Sequence, residues 1–126
     1  MRKNKIWRLR TYWQRTGGLL VEEFMMVKQD KNANIARRLL DGLIILGEKT
    51  QISTSRNVSI KNRDIIAVQV KGKRLGMNLM GQAYFSSMLL QKLQPRSIRT
   101  VAICSKSNLA LKRLCLQHDI EVIVIT

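Results

Sequence analysis

Residues 64–74 read DIIAVQVKGKR, from Asp64 to Arg74, and their reading decides the fold. Side chains alternate across a strand, so Ile66, Val68 and Val70 fall on one face and Ala67, Gln69 and Lys71 on the other. The first face is wholly apolar and suited to burial. The second carries a carboxamide and an ammonium two residues apart. Lys73 and Arg74 follow at once, so the strand ends in a cationic corner. A lysine rising from a sheet needs an anion to meet it. Asp41, within RRLLDGLIIL, stands on what reads as the preceding long strand and is the expected partner. The predicted constellation is Asp41, Gln69 and Lys71 on adjacent strands.

Working outward, residues 1–16 hold six basic residues and no acid, with Ile6, Leu9 and Trp13 at helical spacing and Trp7 near that stripe. Lys5, Arg8 and Arg15 are expected off the buried face, either solvated or along a phosphate backbone. Gly17-Gly18 ends this helix. Residues 19–28 read as a strand with Glu22 or Glu23 turned toward a covered face, and residues 37–46 read as the strand holding Asp41. Residues 49–63 form a partly irregular link. After the central strand, Met77, Met80, Tyr84 and Met88 recur three and four apart, with Ala83 and Leu90 widening the stripe, and this predicts a helix with a methionine core face. Pro95 closes it. SIRTVAICS reads as a strand. Asn108 caps a second helix whose buried side is Leu109, Leu111, Leu114 and Cys115, and IEVIVIT reads as a final buried strand. Strand, helix, strand, helix, strand predicts parallel pairing, hence an α/β domain with a central mixed β-sheet flanked by helices.

A chain of 126 residues suits one domain, spanning residues 1–126, and 45% apolar residues suffice for a core. Lys and Arg number 23 against 8 Asp and Glu, a net charge of +15. With a sequence pI near 10.8, the expected partner is a polyanion, above all nucleic acid. Two cysteines, Cys104 and Cys115, are too few for a disulfide scaffold and sit in apolar patterns, as free thiols of a reducing cytoplasm would. One histidine, His118, excludes the familiar zinc spacings and suits a cap or surface role. No apolar run reaches membrane-spanning length, and the basic start lacks the apolar segment of a secretory signal. The expected location is therefore cytoplasmic, with no membrane partner. Residues 72–76 lack the Walker spacing of a phosphate loop.

A helix, three strands with Asp41 on the second and Gln69-Val70-Lys71 on the third, then a helix and a strand resembles the PD-(D/E)xK nuclease superfamily, in its Mrr-like QxK form. The resemblance covers about residues 4–104. It implies a restriction endonuclease-like fold, with an α-β-β-β-α-β core plus a further helix and strand. It also implies a metal-dependent nuclease acting on DNA as a homodimer, with Mg²⁺ or Mn²⁺ held by Asp41 and the Gln69 oxygen. Lys71 would position the attacking water and stabilise charge at the phosphate, and Lys5, Arg8, Arg15, Lys73 and Arg74 would lie on nucleic-acid phosphates. Three departures stand out. Gln69 replaces an acid, the first helix has no acid for the metal, and Leu40 rather than a proline precedes Asp41. Glu22 or Glu23 would stand in for the helix acid, with Glu23 preferred as a catalytic residue. The alternative on the same fold is a nucleic-acid-binding module without cleavage.

Overall fold

The computed structural model describes residues 1–126. Its first element, α1 (Lys3–Thr16), stops where Gly17 takes φ 68° and Gly18 φ 90°, a region open to glycine and strained for most other residues. The chain continues through β1 (Leu19–Val27), β2 (Arg38–Ile45), the two-residue β3 (Gln51–Ile52) and β4 (Asp64–Val70). Then come α2 (Met77–Gln91), β5 (Ser97–Cys104), α3 (Leu109–Gln117) and β6 (Ile120–Val124). All six strands form one mixed sheet in the order β3-β1-β2-β4-β5-β6. β1, β2 and β4 are antiparallel neighbours. β4, β5 and β6 are parallel, because α2 and α3 each return the chain to the start of the next strand. The expected α/β class and mixed, helix-flanked sheet are what the chain adopts.

The alternation in β4 sorts the two sides of the core. Ile66, Val68 and Val70 pack with Leu9 and Tyr12 of α1, while Ile65 and Ala67 share the opposite face with Leu90 of α2. A third cluster joins Leu79, Met80 and Ala83 of α2 to Cys115 of α3 over Ala102 and Cys104 of β5. Gly42 lets α1 come close: a Cβ there would lie 2.5 Å from Leu9 Cδ1. Both cysteines are free and buried, and burial pushes their thiols above the usual pKa.

Four expectations about faces need correction. Arg8 is buried at 8% exposure, and the inward residues of α1 are Arg8, Leu9 and Tyr12, whereas Trp7 is exposed. The apolar body of the arginine packs, and its guanidinium finds carbonyl oxygens that replace water. In α2 the buried residues are Leu79, Met80, Ala83, Ser86 and Leu90, while Met77 and Met88 are 66% and 49% exposed. This helix has no charged residue, so polar contrast does not mark its inner side: the expected Met80, Ala83 and Leu90 do turn inward, but Leu79 and Ser86 stand there in place of Met77 and Met88. In α3 only Cys115 is buried, with Leu109 and Leu114 exposed, because the helix lies near the sheet margin. β6 is an edge strand paired to β5 alone, so it is half-buried rather than wholly so. Asn108 caps α3 as expected, its Oδ1 accepting from Leu111 N at 3.1 Å.

Leu9 is fully buried beneath α1. Leu9→Ala should lower unfolding free energy by about 2–5 kcal/mol in urea denaturation. At the entry to β4, the Asp64 carboxylate accepts from Arg96 Nε at 2.9 Å and Ser97 Oγ at 2.7 Å, which joins β4 to β5. Hydrogen bonds from Arg96, then from Ser97, hold its pKa well below the carboxylate range. A depressed folded pKa contributes stability above the unfolded value of roughly 4, and loses it as pH falls toward the folded value. Asp64→Asn should therefore lower Tm at neutral pH, and its deficit against wild type should narrow below about pH 4. A deficit that does not change with pH would remove Asp64 as the source.

Candidate active site

The site begins where a ladder ends. β2 and β4 pair from Ile45↔Ile65 to Gly42↔Val68 and then part. Val70 N–H, on the β2 side of the strand, would be left unpaired beyond that point. Asp41 Oδ2 accepts it at 2.9 Å, so the carboxylate takes the place of a strand carbonyl. The other oxygen, Oδ1, lies 3.5 Å from Lys5 Nζ of α1. On the far side of β4, Lys71 N donates to Ile103 O at 2.9 Å, and Ser105 N and Leu75 N bind Lys73 O and Lys106 O at 2.9 and 2.8 Å. The loop carrying Lys71, Lys73 and Arg74 is thereby stitched to the end of β5.

Asp41, Glu23 and Lys71 line one cavity of about 490 Å³. Arg2, Lys5 and Lys73 line it too, so four cationic side chains face two carboxylates. Glu23 sits mid-strand with φ 51°, a strained conformation for a residue with a side chain. The two glutamates go separate ways. Glu22 is held by Arg10 at 2.9 and 3.0 Å, while Glu23 meets the Met1 amino group at 2.7 Å and Arg56 at 3.0 Å. The hydrogen bond from Met1 is the largest cause holding Glu23 below the usual carboxylate pKa.

Gln69 points elsewhere. Its Nε2 donates to the buried Ser86 Oγ of α2 at 2.9 Å. It lines an adjoining cavity of about 440 Å³, walled in part by Phe85 and Leu89. Asp41 and Lys5 line both cavities and stand between Gln69 and Lys71. The expected Asp41–Lys71 ion pair is therefore corrected: Lys5 is the cation on Asp41, and Lys71 takes part in none of the chain's seven ion pairs. Lys71 lies past the end of β4, whereas α1 starts over that end and delivers Lys5 to the carboxylate.

Of the residues expected on phosphates, Lys5 and Lys73 line the main cavity, and Arg74 lines a shallower groove with Lys71 and Lys73. Arg15 is exposed but stands ten residues from Lys5 along α1, about 15 Å away. Arg8 is withdrawn altogether: its Nε donates to Ile125 O at 2.9 Å and its Nη1 to Asn4 O at 3.0 Å. Ser86 and Arg2 were not anticipated. Nothing local in either stretch marks them, because their roles arise only where α2 and α1 meet the sheet.

No group of three or more His, Cys, Asp and Glu side chains converges in the chain. Asp41 and Glu23 nevertheless bring two hard carboxylates to one cavity. Mg²⁺ is commonly held by one or two carboxylates with waters and substrate phosphate completing its shell, so the donor type fits it. Each oxygen here is already engaged, Glu23 by Met1 and Arg56 and Asp41 by Val70 N–H and Lys5, so a cation has to displace Lys5 from Oδ1. Gln69, whose Nε2 is tied to Ser86, lines the adjoining cavity together with Asp41.

Asp41 thus has a structural duty separable from its charge. Asp41→Ala strands the Val70 N–H and should cost about 1–3 kcal/mol more than Asp41→Asn, which keeps an acceptor oxygen. Equal urea midpoints for the two variants would show that the bond contributes nothing.

Comparison of the chain with protein-family models, with curated proteins and with solved structures finds no match.

Proposed function

We propose that the chain is a divalent-cation-dependent nuclease that hydrolyses phosphodiester bonds in DNA, on a restriction endonuclease-like fold of the PD-(D/E)xK superfamily. The observation that carries this reading is the cavity where Asp41, Glu23 and Lys71 meet among Arg2, Lys5 and Lys73. Carboxylates able to hold a cation stand beside ammonium groups able to hold a phosphate. The fold half of the proposal is supported by three antiparallel strands followed by a helical crossover to a parallel one, with Asp41 on the middle strand.

Asp41 Oδ1 would hold Mg²⁺ or Mn²⁺ in place of Lys5, and Glu23 would join it by exchanging Met1 or Arg56 for the cation. Such a cation supplies Lewis-acid polarisation of the phosphate and an acidified water as nucleophile. Lys71 sets an ammonium where charge grows on the non-bridging oxygens during in-line displacement. Lys73, Arg74 and Arg2 hold flanking backbone phosphates, which position the strand without reading its bases. Gln69 acts at one remove: by tying β4 to Ser86, it steadies the strand end from which Lys71 follows.

The Lys5–Asp41 contact favours a second reading, a nucleic-acid-binding domain without cleavage, because the carboxylate is already answered by a cation. The two separate in one assay. Supercoiled, linear, branched and single-stranded DNA are incubated with Mg²⁺ or Mn²⁺ and wild type, Asp41→Asn or Lys71→Ala. The nuclease reading expects cleavage by wild type and a loss of at least about 100-fold in each variant. Salt-sensitive binding with no cleavage under either metal would leave the binding domain. Neither binding nor cleavage would overturn both.

A further inference from the structure

We infer that Lys5 is an internal counter-ion that keeps a divalent cation off Asp41 until a nucleic-acid phosphate draws it away; this rests on the nuclease reading above. Asp41 has two carboxylate oxygens, and one is already committed. Oδ2 holds Val70 N–H at 2.9 Å as part of the sheet. Oδ1 is the oxygen left for a cation, and Lys5 Nζ stands 3.5 Å from it.

The contact is built to be broken. The Lys5 side chain is 32% exposed and Asp41 16%, so the pair is partly shielded while the ammonium keeps access to water. A flexible four-carbon stem lets that ammonium swing without moving α1. Lys5 lines the Glu23–Lys71 cavity and the Gln69 cavity alike, so it has room on either side of Asp41. Oδ2 has no such freedom, because releasing it would strand a backbone donor.

The charge balance sets the order of events. Four cationic side chains, the Met1 amino group bound to Glu23 and two carboxylates line the main cavity, which repels a bare divalent cation and attracts a phosphate. An entering phosphate gives Lys5 another anion and lowers the local positive potential, and Oδ1 is then free. Cation and phosphate must therefore bind with positive coupling, each raising the other's affinity by the same factor. In this reading the chain holds a metal only when substrate is present.

The test measures Mn²⁺ binding rather than cleavage. Free Mn²⁺ is followed by electron paramagnetic resonance during titration of the intact chain. A phosphorothioate duplex that resists hydrolysis is present or absent, and its own Mn²⁺ uptake is subtracted. Wild type should bind Mn²⁺ at least about tenfold more tightly with the duplex than without it. Lys5→Gln should bind at least about tenfold more tightly than wild type without duplex, and lose most of the coupling. Lys5→Arg, which keeps the charge, should behave as wild type and guards against a mere folding effect. Wild-type affinity in Lys5→Gln, or no coupling in wild type, would overturn the inference while leaving the nuclease reading intact. If Asp41→Asn bound Mn²⁺ as wild type does, Asp41 would not be the ligand, and both would fall.

Discussion

Between Gly42 and Leu40 the pairing of β2 with β4 stops, and the hydrogen bond from Val70 N–H to Asp41 Oδ2 closes the gap. The rest of the site depends on that bond. Without a side-chain acceptor the parting strands would leave a buried donor unpaired, at a cost comparable to a core defect. With it, the strands diverge just enough to open a cavity on either side of one carboxylate. A residue that carries negative charge into the cavity is thus also a member of the sheet. Its position is set by backbone geometry and does not hang on side-chain packing alone.

The helix laid over this end has an equally strict fit. Gly42 admits Leu9, and a Cβ on Gly72 would collide with the Asn4 side chain. Arg8 then ties α1 to the last residues of the chain through Ile125 O. A basic helix docked so closely brings Lys5 onto the Asp41 carboxylate and Arg2 to the wall of its cavity. The same docking removes Arg8 from solvent. Positive charge on α1 is thereby divided between one arginine that holds the fold and others that shape the site's potential.

Much of the architecture was legible from periodicity. The period-two pattern of residues 64–70 sorted the two core faces correctly, and the C-terminal order of strands and helices implied their parallel pairing. Where contrast between polar and apolar residues was missing, the faces were misread. α2 has no charges, so of its expected methionines only Met80 faces the core while Met77 and Met88 lie outside it, and α3 offered more leucines than the sheet margin could cover. The pairing of charges was less legible still. Lys71 lies two residues from Gln69 in sequence yet occupies an adjoining cavity, because β4 ends at Val70.

By itself the sequence determined an α/β chain with a mixed sheet, two buried free thiols, a capped α3 and an excess of positive charge. These follow from composition and from repeats of two or three to four residues, which are local and survive in any packing. Only the tertiary structure decided that Lys5 meets Asp41, that Glu23 rather than Glu22 enters the cavity, and that Gln69 binds Ser86. Lys5 and Asp41 are 36 residues apart, and their meeting depends on where one helix lands on the end of a sheet. Residues that distant are joined by packing, and no local pattern records it.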